Sequence, residues 1–174
     1  MFRRLALTLA ALALTLMAPA GRSHAQSLEY AVKANYLVRF AAFVEWPPTA
    51  FEANSAPLII CVSGRDPFGE TLDQAAGGQS AHGRRIGVRR LPAGAAMTGC
   101  HILYVGAGSA AAANNRAAVL IVTDSAVTQQ RGMIHFVVVS NRVRFHIDKA
   151  AATSSGLGMS SRLLNLAISV REGG

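Results

Sequence analysis

Short apolar runs recur along this chain, separated by helix-like or Gly-rich segments, and that alternation restricts the fold more than any other feature. Leu58 to Val62, ended by Ser63-Gly64, is apolar throughout and too short for a stable helix, so it reads as a strand buried on both faces. Cys100–Val105 and Val119–Thr123 share that character, while Ile86–Leu91 alternates apolar residues with Arg and reads as a strand nearer an edge. Between these runs the pattern predicts helices over Phe68–Ala76 and Ser109–Ala118 and a short helical turn over Ser125–Gln130. Strand and helix in alternation predict an α/β three-layer sandwich, with a mostly parallel sheet and flanking helices.

The two ends of the domain behave differently. Ser27 is expected to cap a first helix carrying Val32, Tyr36, Leu37, Phe40, Phe43 and Val44 at helical spacing, and Pro47-Pro48 stops it. Near the C-terminus only Ser140-Asn141 separates Met133–Val139 from Arg142–Asp148. A two-residue loop there sets Ile134, Phe136 and Val138 opposite Ile147, Phe145 and Val143 on an apolar face. His135, Val137 and Val139 then oppose His146, Arg144 and Arg142 on a mixed face, as an antiparallel hairpin would have it. A last helix from about Ser160 is expected to turn Leu163, Leu164, Ala167, Ile168 and Val170 to the core. No internal repeat or long linker divides the chain, so residues 26–174 are expected to form one domain.

Residues 1–25 read as a secretory signal peptide. Arg3 and Arg4 precede an apolar stretch from Leu5 to Met17, and Ser23-His24-Ala25 offers small residues where a signal peptidase cuts, so cleavage is expected after Ala25. The apolar stretch is shorter than the ~20 residues needed to span a bilayer. Three of the seventeen basic residues, Arg3, Arg4 and Arg22, lie in this leader, and without it the formal charge falls from +8 to +5. The expected product is periplasmic, which argues against nucleic acid as a partner and for a disulfide-permissive environment.

Few side-chain constellations suggest chemistry. Cys61 and Cys100 are expected to bond, although in parallel neighbouring strands of simple register they would be displaced beyond bridging distance unless Cys100 lies in the loop before its strand; two buried thiols are the alternative. Gly106-Ala107-Gly108-Ser109-Ala110-Ala111, with Asp124 after it, resembles a dinucleotide fingerprint but falls after the third strand, and reads better as a tight turn of small residues. His135 and His146 face each other with no third metal ligand evident, and a solvated polar face accounts for them. His82, His101 and Ser109 lack catalytic companions, so neither catalysis, cofactor nor metal is expected. Arg84, Arg85, Arg89 and Arg90 make a basic edge, and Trp46, the sole Trp, sits at the rigid exit of the first helix.

The blocks EYAVKANYLVRFAAFVEWP from Glu29, PLIICVSGRDPFG from Pro57, GCHILYVG from Gly99, RGMIHFVVVSNRVRFHID from Arg131 and GLGMSSRLLNLA from Gly156 together resemble the YfiR-like family of bacterial periplasmic proteins. The resemblance implies an α/β fold, a homodimer and no enzymatic activity. It implies a protein that binds the periplasmic sensor domain of an inner-membrane diguanylate cyclase and holds it inactive, with an OmpA-type outer-membrane lipoprotein able to sequester it. It also implies that Cys61 and Cys100 form a redox-sensitive pair, and that Trp46, with Phe43 and Pro47, belongs to a region used in partner contact. A different expectation is a periplasmic small-molecule binder using the C-terminal edge of the sheet.

Overall fold

The structure, a computed structural model, describes residues 20–109, 118–128 and 130–173. In chain order the elements are α1 (Ala20–Phe43), β1 (Val44–Glu45), a 3-10 turn (Pro48–Ala50), β2 (Leu58–Ser63), α2 (Glu70–Ala76), β3 (Ser80–Ala81), β4 (Arg84–Leu91) and β5 (Ile102–Val105). There follow β6 (Leu120–Asp124), β7 (Ile134–Val139), β8 (Arg142–Asp148), α3 (Lys149–Ser154), β9 (Gly158–Met159), α4 (Ser161–Leu166) and β10 (Ser169–Arg171). Eight strands form one sheet in the order β10-β8-β7-β6-β5-β2-β4-β3, and β1 pairs with β9 in a separate ribbon. Strands β4, β2, β5, β6 and β7 are mutually parallel, so the α/β architecture with a mostly parallel sheet is as expected. The predicted helix over Ser109–Ala118 falls on residues 110–117, outside the described residues, as does most of the predicted leader.

The apolar runs become the central strands because a strand covered on both faces has no solvated side. Residues of β5 and β6 are all buried, and in β2 every residue except the half-buried Ile59 is. The hairpin takes the expected register: Ile134 pairs with Ile147, His135 with His146 and Phe136 with Phe145. Ser140 and Asn141 both adopt positive φ, 49° and 59°, the backbone that a two-residue loop with the strands' own twist requires. On the apolar face, Phe136 and Phe145 meet Tyr36 and Phe40 of α1, with ring centroids 5.3–6.0 Å apart.

Three expectations are corrected. First, α1 runs back to Ala20, so Ser27 lies inside the helix rather than at its cap; Ala20 and Ala25, strong helix formers, precede it. Secondly, the buried face of α1 is shifted: Tyr36, Leu37, Phe40, Phe43 and Val44 pack on the core as predicted, but Val32 is exposed while Lys33 is fully buried beside Tyr30, Ala34 and Leu37. Thirdly, the final helix ends at Leu166, and Ser169–Arg171 becomes a strand parallel to β8, with Ile168 exposed. The outer edge of β8 needs a partner, and Ile168 N–H donates to Phe145 O at 2.9 Å on entering that pairing. The unforeseen α3 starts where the Asp148 carboxylate accepts from Ala151 N–H. The turn expected after Ser125 forms as far as Thr128, with Val127 and Thr128 N–H donating to Asp124 O, and Asp124 Oδ1 accepts from Ala126 N–H.

Lys33 faces inward because a carboxylate awaits it. Its ammonium lies 2.5 Å from Asp124 Oδ2 at the end of β6 and also bonds Glu29 one turn earlier. Tyr104 O–H donates to the same Asp124 oxygen at 3.2 Å. Burial alone would push the Lys33 ammonium down, but its hydrogen bonds to Asp124 and Glu29 overcome this and hold it above the ordinary lysine range. Its charge therefore persists wherever an ordinary lysine is charged, and the stability it gives fades only as pH rises through that elevated value. We expect Lys33→Met to lower stability by about 3–5 kcal/mol, because Asp124 is left buried and unpaired. Glu29→Gln, at the half-exposed end of the network, should cost less than about 1 kcal/mol. Urea unfolding of the two variants checks both values, and equal losses would refute the assigned hierarchy.

Candidate functional site

Of the residues singled out in the sequence, Trp46, His82, His101 and Cys100 converge at the N-terminal edge of the parallel strands, whereas His135, His146 and the Gly106 loop lie elsewhere. Pro47 and Pro48 break α1 and lead into the 3-10 turn, and the short β1 ahead of them is held by β9 through the pairs Val44 with Met159 and Glu45 with Gly158. Ser160 N–H donates to Phe43 O at 2.9 Å, which ties the helix exit a second time. Phe43, Trp46 and Pro47 are half-buried at this corner, and Phe43 and Trp46 pack on the core. Trp46 Nε1–H donates to His101 O at 3.2 Å, and its ring meets His82 and His101 edge-on.

His101 organises the corner. Ile59 N–H donates to its Nδ1 at 3.0 Å, so Nε2 carries the proton and donates to Ala50 O at 3.1 Å. The ring stacks on Phe51 with centroids 4.3 Å apart, and the Arg84 guanidinium lies over the other side of Phe51 at 3.7 Å. Burial, with Arg84 and Arg89 nearby, holds the His101 imidazole below the ordinary histidine range.

Cys61 and Cys100 form a disulfide with Cα atoms 5.7 Å apart. Strand β2 pairs Cys61 with Leu103, so along the strands Cys100 would be three residues out of step. Cys100 instead sits in a turn before β5, where Cys100 N–H donates to Met97 O, and the turn carries its sulfur to Cys61. The Arg89 guanidinium reaches both sulfurs, 3.1 Å from Cys100 Sγ and 3.6 Å from Cys61 Sγ, and also bonds Thr98 O. A cavity of about 430 Å³ opens beside the bond, between the 3-10 turn and the Cys100 turn, lined by Thr49, Ala50, Met97 and Cys100.

The basic edge is thus largely spent inside the molecule. Arg84 holds the carbonyls of Ala53 and Ala56, Arg89 the disulfide turn, and Arg90 is bidentate to Asp73 and bonds Asp66. The Gly-rich fingerprint is equally structural. Gly106 N–H donates to Ser63 O at 2.7 Å and Arg65 N–H to Ala107 O at 2.8 Å, so the loops after β2 and β5 touch backbone to backbone. A Cβ on Gly106 would lie 2.3 Å from Arg65 O, which is why a side chain is excluded there. These loops occupy the crevice at the reversal of strand order, where a small-molecule site was the alternative expectation. Missed in the sequence were Arg89, Phe51 and Ala50 as parts of the corner, since their roles depend on contacts across loops.

Two outcomes are expected. Replacing both cysteines by Ala should lower stability by about 3–4 kcal/mol for a loop closed over 39 residues, read by urea unfolding with and without reductant. Because the folded state holds His101 below its unfolded value, the unfolded chain binds more protons under acid conditions, and stability should fall as pH drops below about 6.5. His101→Gln should flatten that decline; an unchanged slope would remove His101 from the explanation.

Among the described residues no helix is long and apolar enough to cross a membrane, and no group of three or more His, Cys, Asp and Glu is placed to hold a metal. No curated protein matches the chain. A family model described as YfiR/HmsC-like matches residues 30–168, from the buried Tyr30 of α1 to the entry of β10, and takes in the corner, the disulfide and the hairpin. By that match over most of its length, the chain belongs to the YfiR/HmsC-like family.

Proposed function

We propose that this chain is a periplasmic regulatory protein that acts by binding, and that it holds the sensor domain of an inner-membrane signalling protein in its inactive state. The family is regulatory rather than catalytic, and membership over residues 30–168 is the observation that carries the reading. The partner we propose is a diguanylate cyclase, which makes cyclic di-GMP and biofilm the outputs. An OmpA-type outer-membrane lipoprotein is the proposed counter-partner, and a homodimer the proposed working state. The leader read in residues 1–25 supplies the route to the periplasm.

The corner formed by Phe43, Trp46 and Pro47 supports a contact role on physical grounds. It is rigid, being fixed by two prolines, the β1–β9 ribbon and the bond from Trp46 to His101. A pre-ordered surface loses little freedom when a partner docks. It adjoins the disulfide turn, so reduction of that bond would loosen the surface the partner meets.

Deleting the gene should raise cellular cyclic di-GMP and biofilm, and the wild-type gene should restore both. Phe43→Glu, made at a half-buried site and checked for folding by circular dichroism, should fail to restore them. Unchanged cyclic di-GMP in the deletion strain would sink the cyclase assignment, and a pull-down of envelope extract with the mature domain would then identify which sensor is held.

A further inference from the structure

The histidine pair on the mixed face of the hairpin takes no part in the corner. Strand register pairs Thr123 with His135, His135 with His146, and His146 with Ser169, so four polar side chains from β6, β7, β8 and β10 line up in one row. Phe136 and Phe145, the neighbours in sequence, pack on α1, so the row lies on the opposite side of the sheet. The outer members are joined: Thr123 Oγ1 and His135 Nδ1 lie 2.8 Å apart, and His146 Nδ1 and Ser169 Oγ 2.7 Å. Gly132 N–H also donates to Thr123 Oγ1, which sets the incoming loop against the row. The middle of the row is unspent, because neither ring's Nε2 has a hydrogen-bond partner among the described residues.

A cavity of about 210 Å³ opens over that middle, lined by both rings, Ser169, Arg131, Arg171 and Asp148. Asp148, its only carboxylate among the described residues, is already committed: one oxygen caps α3 and the other takes Arg171. The exposed Arg131 guanidinium has no hydrogen bond or carboxylate among the described residues. Both imidazoles are held below the ordinary histidine range, by burial first and then by Arg131. The charged groups around the rings are Asp124 at the end of β6, Arg131 on the loop before β7, Arg144 and Asp148 on β8, and Arg171 on β10. The surplus is positive, and the free groups are donors.

We propose that this basin binds a tetrahedral oxyanion, phosphate or a phosphate monoester, gripped by Arg131 and by the Nε2–H groups of His135 and His146, with the Ser169 hydroxyl at its rim. A guanidinium beside two imidazoles repels a metal cation and attracts a dianion. An anion seated there favours protonated rings, so it binds more tightly as pH falls; a metal needs neutral rings and would bind more tightly as pH rises. The sign of the pH dependence separates the two chemistries.

Sulfate is the first probe, because it remains a dianion throughout the range in which imidazoles titrate. Calorimetry of the purified protein at constant ionic strength should show saturable sulfate binding, about tenfold tighter near pH 5.5 than near pH 8, and histidine proton resonances should titrate at higher pH when sulfate is present. Arg131→Gln, at an exposed position that should leave the fold intact by circular dichroism, should weaken binding about tenfold. His146→Gln should remove most of the pH dependence. Inorganic phosphate and glycerol phosphate then separate the sources: tighter binding of the monoester points to a group on a larger molecule, tighter binding of phosphate to the free ion. No saturable sulfate binding at either pH, or binding indifferent to Arg131→Gln, would overturn the proposal, as would nickel or zinc binding that strengthens with pH while sulfate fails to bind.

Discussion

The buried pair of Lys33 and Asp124 fixes how the long helix sits on the sheet, and the rest of the molecule follows from that seating. A desolvated ammonium is tolerable only with a carboxylate in bonding distance, so α1 has one rotation and one depth at which Lys33 meets Asp124. That setting brings Tyr36 and Phe40 over the hairpin phenylalanines, Tyr30 against Phe68, and the helix exit to the N-terminal edge of the strands. The Trp46 corner is therefore positioned from the middle of the helix. Apolar packing supplies the bulk of the attraction, and the ion pair supplies the registration.

The corner and the disulfide form one mechanical unit although they come from distant parts of the chain. His101 links them: its carbonyl receives Trp46, its ring receives Ile59 N–H and stacks on Phe51, and its neighbour is Cys100. The Cys100 turn and the Trp-Pro-Pro exit are thus joined through one residue, whose carbonyl and ring both hold the corner. Arg89, reaching both sulfurs and Thr98 O, ties the turn to β4.

What the sequence disclosed follows from range. The central strands were legible because burial on both faces writes itself as an unbroken apolar run, and the hairpin register because a two-residue loop leaves only one pairing for Phe136 and Phe145. The rotation of α1 was not, because Val32 and Lys33 both suit a helix and the deciding partner lies 91 residues away. Leu163 to Val170 satisfies helical spacing, yet the free edge of β8 claimed Ile168 onward for a strand, a tertiary demand that outweighs periodicity. For the candidate site, Cys61, Cys100 and Trp46 stood out by type and rarity. Their clustering did not, since it rests on the turn at Cys100 and on carbonyls from loops that carry no pattern.

The sheet ends in β3 on one side and β10 on the other, strands of two and three residues. Strands so brief offer a stranger's backbone few bonds, and where β4 and β8 run on past them Arg89, Arg90, Arg142 and Arg144 put charge on the border. A chain that folds among copies of itself gains from borders that refuse to propagate. Its stubby margins are a safeguard against fibres as much as an accident of where the chain runs out of partners.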